Sequence, residues 1–404
     1  MENIFFDIHM HAMDMSHPSL LAFIDRIHGR GLKLLIGGLL EPFLHGVEKE
    51  ILNVLTVMES AIEEYFILME HFLREKEPVL TAEKPIRIGN REFDTILLTP
   101  LVIDFGFKQI KTDTFYNMAL GKPVVGQTVD VLESIRKYCN CEFKVKPGRP
   151  DEGVTVPRTS RRIFEIYPFM GINTLYYEPL EIKNLLNRFF SDYTGRREDF
   201  LGRMGSFDGA IERVGSNVFA GIKLYPPLGF DPWPAQDKPE MKKVVTLYEL
   251  CAEKQIPITV HCSDGGFCTT SKHEEYTSPK KWRHVLKAFP GLKLNLAHFG
   301  KQKHWHLFDS WRETVIDLIR EHDNVYTDIA CLAFDEDFYE QLNRFLGKND
   351  KLSSHIMFGT DYMMNLLWEE SYNSYLLRFI QTNKIEPEIK IKMCNVNPAR
   401  FIFS

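Results

Sequence analysis

The chain alternates short apolar runs with longer segments of helical periodicity. Each run ends in a polar or small residue, which is typical of buried strands in a parallel sheet. Eight such runs predict eight strands: IFFDIHMH (4–11), TILLTPLVIDF (95–105), RIFEIYPFMGI (162–172), FAGIKLY (219–225), PITVHCS (257–263), LKLNLAHFG (292–300), NVYTDIA (324–330) and HIMFGTD (355–361).

The segments between the later runs have the spacing of amphipathic helices. The clearest are residues 241–254, 280–289 and 311–321, and Pro257 and Pro290 mark where two of them have ended. Strict alternation of strand and helix predicts parallel strands joined by crossover helices. Eight units favour an α/β fold of the (β/α)8 TIM barrel type, although an open doubly wound sheet has the same local pattern.

The first half of the chain carries two insertions within what we expect to be a single domain spanning residues 1–404. At about 40–80, apolar residues at helical spacing between Pro42 and Pro78 predict one or two amphipathic helices. These helices would serve as a cap on the barrel or as a contact in a homo-oligomer. At about 108–160, the stretch CEFKVKPGRPDEGVTV indicates a polar loop or hairpin.

The overall charge narrows the class of partner. The 404 residues carry a formal net charge of −6 with no long basic block, which argues against binding to nucleic acid or to an anionic membrane. No run approaches the roughly 18 apolar residues of a membrane helix, and the N-terminus lacks the basic region of a signal peptide. Seven cysteines without disulfide or zinc spacing fit a reducing compartment. We therefore expect a cytoplasmic protein with a small-molecule partner.

The first strand carries two histidines on one face. His9 and His11 share a parity opposite to the apolar Ile8 and Met10, which would pack under the outer helices. Both imidazoles would then point into the barrel at the strand's carboxyl end, where barrel enzymes keep their active sites. Two neutral imidazoles form half of a transition-metal site, although such a pair alone is more often structural. A second pair at 304–306 lacks an apolar strand and indicates a solvated loop at the pocket mouth.

Four later strands each place one chemically competent residue at or near their carboxyl ends. His261 closes PITVHCS, His298 closes LKLNLAHFG and Asp361 closes HIMFGTD. In FAGIKLY the alternation turns Lys223 inward, which is costly for a lysine unless it is neutralised, paired or modified. Each residue alone would be a satisfied core polar group, but their order on successive strands predicts one shared site.

This ordered set resembles the amidohydrolase superfamily of metal-dependent hydrolases, in particular its amidohydrolase-related branch. The resemblance implies a TIM barrel with a divalent metal, usually zinc, at the carboxyl ends of the strands. It is carried by residues 4–11 and by the chain from about 160 to its end, including GIKLYPPLG (221–229), LAHFG (296–300), FGTDY (358–362) and NVNPARFIF (395–403).

The resemblance implies a ligand role for each of these residues. His9, His11 and Asp361 would hold one metal, and His261 would complete a mononuclear site or bind a second metal. Where the family has two metals, a lysine at the position of Lys223 is carboxylated and bridges them. One or two ions therefore remain open.

The resemblance also implies which residues act on the substrate. A metal lowers the pKa of bound water from 15.7 to about 7, and Asp361 would accept its proton and pass it to the leaving group. His298 would be a ligand in a binuclear site, or would stabilise the developing oxyanion in a mononuclear one. Tyr225 and Trp233, which follow the fourth strand in KLYPPLGFDPW, are candidates for substrate-binding residues in the pocket wall.

Three functions remain open from the sequence. The first is a metal-dependent hydrolase of a small amide, ester or lactone, which the inward Lys223 favours. The second is a lyase, because the same branch resembles metal-dependent decarboxylases and hydratases of small aromatic or unsaturated carboxylic acids. The third is a non-catalytic binding protein on the same barrel, which the complete set of ligand-type residues disfavours.

Overall fold

The computed structural model describes residues 3–17, 53–59, 62–76, 84–106, 123–146, 148–302, 310–334 and 336–403. The runs predicted as strands form two parallel sheets, one with the order β1-β4-β7 and one with the order β8-β9-β10-β11-β12-β13. The strands are β1 Ile4–Met10, β2 Ile86–Ile88, β3 Arg91–Phe93, β4 Thr95–Pro100, β5 Cys141–Lys146, β6 Arg149–Pro157, β7 Phe164–Ile166, β8 Phe169–Gly171, β9 Gly221–Leu224, β10 Ile258–Val260, β11 Leu294–Leu296, β12 Val325–Asp328 and β13 Ile356–Met357.

One seam between the sheets lies within the third predicted run, where β7 and β8 are successive parts of one barrel strand. β7 pairs with β4 and β8 pairs with β9. Backbone hydrogen bonds join the sheets on either side of the break, from Tyr167 N to Leu98 O (3.0 Å) and from Val102 N to Phe169 O (3.2 Å). The ladder is interrupted at Pro168, which has no N–H to donate.

The other seam joins the first strand to the last. Ile8 N donates to Phe358 O (3.2 Å), and Thr360 N donates to His9 O (3.1 Å). With β7 and β8 counted as one strand, eight parallel strands therefore close into a ring. This closure confirms the predicted (β/α)8 barrel and excludes the open sheet. All seven residues of β1 are buried, as expected for a strand covered by helices on its outer side.

Helices cover the outside of the barrel. The three clearest predicted helices are confirmed as α5, α7 and α8, and α8 begins after Ser310, whose side chain accepts a hydrogen bond from Glu313 N. The helices are α1 Tyr65–His71, α2 Pro123–Asn140, α3 Pro179–Phe190, α4 Arg197–Arg203, α5 Lys238–Lys254, α6 His273–Thr277, α7 Trp282–Ala288, α8 Trp311–Glu321, α9 Glu336–Lys348, α10 Tyr372–Gln381, α11 Pro387–Ile391 and α12 Asn397–Ile402. No helix among the described residues is long and apolar enough to cross a membrane.

The segment at 108–160 was predicted as a loop or hairpin, and the structure contains a hairpin there, but it also contains a helix that was not predicted. β5 and β6 form the antiparallel hairpin, but the 18-residue helix α2 precedes it. The buried face of α2 includes Gln127 and Ser134, which interrupt the apolar spacing that would have indicated a helix. Gln127 is buried because its Oε1 accepts a hydrogen bond from Ile103 N (3.1 Å) just beyond β4.

The described part of the insertion at 40–80 is helical, as predicted. Residues 53–59 are helical, and α1 follows them after a short turn. Val54 and Met58 pack in one apolar cluster with Tyr225 and Phe267, which lie beyond the carboxyl ends of β9 and β10. The insertion therefore covers part of the rim at which the site forms.

Replacing Gly171 by alanine should test the closeness of the seam inside the third strand. A Cβ at Gly171 would lie 2.5 Å from Val102 O, a backbone atom that cannot swing away. We expect Gly171→Ala to lower the free energy of unfolding by about 1–3 kcal/mol, measured by chemical denaturation.

Gly126→Ala is the matched control, because a Cβ there meets nothing within 4 Å in the exposed face of α2. It should leave stability unchanged or raise it by up to about 1 kcal/mol. Equal effects of the two substitutions would contradict the close backbone contact.

Candidate metal centre

A cavity of about 440 Å³ opens at the carboxyl ends of the barrel strands. Its wall contains four of the predicted metal ligands, namely His11, His261, His298 and Asp361. Parallel strands bring all their carboxyl ends to one rim, so residues separated by up to 350 positions meet there.

The seam between the first and last strands brings Asp361 to the two histidines of β1. Asp361 N donates to His9 O (2.7 Å), which fixes the backbone of one residue to the other. The Oδ1 atom of Asp361 lies 3.2 Å from His11 Nε2 and 3.5 Å from His9 Nε2. The structure thus places these three predicted ligands together.

Two of the imidazoles are oriented by backbone carbonyls. His11 Nδ1 lies 2.8 Å from Leu101 O, and His298 Nδ1 lies 2.9 Å from Ala330 O. A carbonyl oxygen only accepts hydrogen bonds, so each Nδ1 carries the proton. In the neutral ring, Nε2 then holds a lone pair that faces the cavity.

His261 has the opposite tautomer, for the same reason. Its Nε2 lies 2.8 Å from Gly265 O and must donate, so its Nδ1 holds the lone pair. That Nδ1 lies 3.1 Å from His298 Nε2, which is also without a proton. Two lone pairs therefore face each other at hydrogen-bonding distance with no proton between them. Gly266 permits this tight turn, because a Cβ there would lie 2.3 Å from the Tyr225 hydroxyl.

Burial sets the charge of these groups. It lowers the pKa of His9, His11, His261 and His298, the last to about 4, so these imidazoles are neutral at physiological pH. Burial acts to raise the pKa of Asp361, but positive charge placed among the adjoining imidazoles holds that pKa well below its usual range. Neutral histidine and ionised aspartate are the protonation states that bind metal ions.

This donor set fits a divalent metal ion. His9, His298 and Asp361 offer ligand atoms that all lie within 4.8 Å of one another. The unshared lone pairs of His11 and His261 border the same space, and no described side chain supplies a proton to them. A cation among His9, His298 and Asp361 would satisfy these three groups at once.

Lys223 lies inside the barrel beside this cluster. It is buried, and its Nζ is 3.5 Å from His9 Nε2 and 5.7 Å from the centroid of the Tyr225 ring. Burial lowers the pKa of its amine to about 8, although the charges of Asp361 and Asp328 act to raise it. No carboxylate among the described residues forms an ion pair with it.

Asp328, at the end of β12, is a site residue that the sequence analysis missed. Its carboxylate lies 3.0 Å from His9 Nδ1 and accepts hydrogen bonds from Asn295 Nδ2 (2.7 Å) and from His298 N (2.9 Å). Asp328 therefore orients His9 through a contact with the imidazole ring, and it orients His298 through a hydrogen bond from the backbone N–H. The run NVYTDIA ends in this aspartate just as the other strands end in ligands, so the same signal could have found it.

The two predicted substrate-binding residues are placed differently. Tyr225 lines the cavity, with its ring centroid 4.5 Å from that of His261, and its hydroxyl accepts a hydrogen bond from Phe267 N (3.0 Å). The structure does not bring Trp233 to the cavity wall, because its ring stacks on His284 in α7 with the centroids 6.2 Å apart. The pair at 304–306 lies outside the described residues.

A second group of ligand-type residues lies away from this centre and is satisfied without an ion. His17 Nε2 lies 2.7 Å from Asp130 Oδ2, and its Nδ1 accepts a hydrogen bond from Asp14 N (3.1 Å). Both ring nitrogens therefore have partners of the right kind. This described cluster therefore lacks a pair of facing lone pairs like the one between His261 and His298 in the barrel site.

The backbone is strained at two site residues. His298 has φ of 65°, the following Phe299 has φ of 47°, and Asp361 has φ of 59°. Such values are uncommon for residues other than glycine and cluster at functional sites, where the surrounding structure holds them. Strain at His298 and Asp361, beyond the ends of β11 and β13, is typical of a functional rim.

A closed barrel with neutral histidines and a buried aspartate at its carboxyl rim defines a metal-dependent barrel enzyme. A family model described as Amidohydrolase matches residues 181–403, which is more than half of the chain. The chain therefore belongs to the amidohydrolase family. The matched part includes Lys223, His261, His298 and Asp361, while the histidines of β1 precede it.

Several solved structures are similar to this chain. An uncharacterised TIM-barrel protein from Bordetella bronchiseptica has 14% identity and a TM-score of 0.49, with 98% of each chain covered. A probable 2-pyrone-4,6-dicarboxylic acid hydrolase from Acinetobacter baumannii, with citric acid bound, has 11% identity and a TM-score of 0.45, covering 100% of this chain and 99% of its own.

A third similar structure is 5-carboxyvanillate decarboxylase from Novosphingobium aromaticivorans, complexed with manganese and a nitrobenzoic acid. It has 10% identity and a TM-score of 0.43, covering 99% of this chain and 96% of its own. No curated protein matches the chain by sequence. The fold assignment rests on the strand pairing described above.

Replacing Asp328 by asparagine should weaken metal binding without removing a ligand. The amide oxygen of the new side chain could still accept the hydrogen bond from His9 Nδ1, but the negative charge that makes the imidazole a stronger donor would be lost. We expect metal affinity to fall about 10–100-fold in Asp328→Asn, measured by competition with a chromogenic chelator.

Asp323→Asn is the control, because Asp323 is 96% exposed and pairs only with Lys351 among the described residues. Metal affinity should be unchanged in that variant. An unchanged affinity in Asp328→Asn would show that this carboxylate does not orient a ligand.

Proposed function

We propose that this protein is a metal-dependent hydrolase that acts on a small amide, ester or lactone. The metal would be held by His9, His11 and Asp361, with His261 and His298 on the opposite side. The single observation that carries the proposal is the pair of facing lone pairs on His261 and His298, together with the unprotonated Nε2 of His11 against the Asp361 carboxylate. These contacts are repulsive unless a cation lies among them.

A bound metal would supply a water of lowered pKa and would polarise the substrate carbonyl. Asp361 lies at the cavity wall in its ionised form, so its free lone pairs would accept the proton of the attacking water and pass it to the leaving group. Tyr225 and Phe267 would form an apolar wall that excludes bulk water from the reacting groups.

His298 is better suited to bind metal than to stabilise an oxyanion. Stabilising an oxyanion requires a donor, but the proton of neutral His298 is used at Nδ1 by Ala330 O. With burial lowering the pKa of His298 to about 4, a second proton on this ring is disfavoured at neutral pH. Of the two roles left open by the sequence, the geometry therefore favours a ligand in a binuclear site.

Lys223 supports the same binuclear arrangement. A buried lysine without a described carboxylate partner is unfavourable as an ammonium, and a pKa of about 8 leaves a usable fraction of free amine near neutral pH. A free amine adds carbon dioxide to form a carbamate, which releases one proton and provides two oxygen ligands. We propose that Lys223 is carboxylated and that its carbamate oxygens would help to hold two metal ions. Zinc, which takes histidine nitrogen and carboxylate oxygen, would be the metal used.

Metal binding and hydrolysis should both be lost when the histidines of β1 are replaced. In the double variant His9→Ala/His11→Ala we expect metal content to fall from one or two ions per chain to none, measured by elemental analysis after dialysis. Hydrolysis of a panel of amides, esters and lactones should fall to background. The fold should persist in circular dichroism, because the site lies at the rim.

The control is His284→Ala/His322→Ala, which removes two histidines that lie outside the cavity wall. Full metal content in the β1 double variant would refute the assignment. If the wild-type protein holds metal but hydrolyses nothing, and instead releases carbon dioxide from or hydrates aromatic or unsaturated acids in the panel, the enzyme is a lyase.

The bridging role of Lys223 has a separate readout. With ¹³C-labelled bicarbonate, the wild-type protein should show a carbamate carbon signal by NMR and bind two metal ions per chain. Lys223→Met should lose the signal and bind at most one ion. Lys287→Met, an exposed control on α7, should behave as wild type. A wild-type protein that binds two ions with no carbamate signal would contradict the bridge.

A further inference from the structure

Lys301 lies in the wall of the same cavity, three residues beyond His298. Its backbone is fixed on both sides, because its N–H donates to His298 O (3.0 Å) and its carbonyl accepts from Asp264 N (3.1 Å). The side chain therefore starts from a rigid point beside the candidate metal centre.

The ammonium of Lys301 is held by weak contacts. Nζ donates to Cys331 O at 3.3 Å and lies 5.4 Å and 5.6 Å from the ring centroids of Phe334 and Trp368. The two rings are stacked, with an interplanar angle of 6° and centroids 6.1 Å apart, and Trp368 lines the cavity as well. An ammonium has three donors, and only one of them has a described partner.

Two other partly buried lysines of this chain have carboxylate partners. Lys281 Nζ lies 2.8 Å from Asp231, and Lys243 Nζ lies 3.1 Å from Glu240. Among the described residues, no carboxylate forms an ion pair with Lys301. Its positive charge is thus neutralised less completely than that of Lys281 and Lys243, although it stands beside a substrate-sized cavity.

The charged residues of the cavity wall also favour an anionic ligand at Lys301. Among the described lining residues, Lys301 is the one lysine or arginine, and the acids are Asp264 and Asp361. Asp361 Oδ1 lies 3.5 Å from His9 Nε2 and 3.2 Å from His11 Nε2, and among the described residues no ion pair joins Asp264 to Lys301. A substrate that brings a negative charge to Lys301 would complete the pairing that the protein leaves open.

We propose that Lys301 is a specificity-determining residue that binds an anionic oxygen group of the substrate, a carboxylate or a phosphate, remote from the bond that reacts. The inference rests on the proposed function for the position of the reacting bond. An uncharged substrate would leave two donors of the ammonium unpaired in a partly dehydrated cavity, whereas an anion would form charge-assisted hydrogen bonds with them. Lys301 would thereby select anionic substrates over their neutral isosteres.

The test compares two probes that differ only in one charge. Glutarate and its monoamide, glutaramate, each keep one carboxylate for the metal and differ in the group that would reach Lys301. On metal-loaded wild-type protein we expect calorimetry to give a dissociation constant about 10-fold lower for glutarate. In Lys301→Met the two constants should agree within about 2-fold, and Lys301→Arg should restore most of the preference.

A third probe, 4-phosphonobutyrate, separates the two kinds of anion. Tighter binding than glutarate, dependent on Lys301, would identify a phosphate-bearing substrate, and weaker binding would identify a carboxylate. Lys287→Met is the charge control and should keep the wild-type ratio. Thermal melting of Lys301→Met should remain near wild type, because methionine can lie over the same two rings.

The proposal is overturned if wild-type protein does not distinguish glutarate from glutaramate, or if Lys301→Met distinguishes them as well as wild type does. The proposed function fails independently, if no metal binds. In that case the change in glutarate affinity between wild type and Lys301→Met, measured on the metal-free protein, decides the role of Lys301.

Discussion

The site depends on the closure of the barrel between its first and last strands. The backbone hydrogen bonds from Ile8 to Phe358 and from Asp361 to His9 hold the two ends of the chain in register. A shift of one residue at this seam would turn His9 and His11 away from the cavity, because side chains of a strand alternate between its faces. The seam therefore sets both the fold and the chemistry, and it explains why the ligands can be far apart in sequence.

Much of this could be predicted from the sequence, because strand length and the polar residue at each strand end are local signals. Such local signals predict the eight strands. They also predict the order of the site residues along the chain, namely His9, Lys223, His261, His298 and Asp361. The helix α2 was missed for a physical reason. Its buried face carries polar residues whose partners, such as Ile103 N, come from elsewhere in the chain. Local periodicity contains no information on such partners.

The positions of the loop residues relative to the cavity could not be predicted from a local sequence pattern either. Tyr225 and Trp233 leave the same strand, yet one ring lies against His261 and the other stacks on His284 in a neighbouring helix. Which of two aromatic rings faces a cavity depends on packing with elements that are distant in sequence. The tautomers of the histidines are set in the same way, by carbonyls of Leu101, Gly265 and Ala330.

These carbonyls give the site its chemical character, because they force lone pairs towards one point, while burial leaves the imidazoles neutral. A site built in this way is electrostatically incomplete, since its carboxylate and lone pairs repel one another in a medium of low polarity. A cation would remove that repulsion. Because its ligands would come from both sides of the seam, metal binding would also strengthen the closure on which the site depends, and the free energy of binding would add to the stability of the barrel.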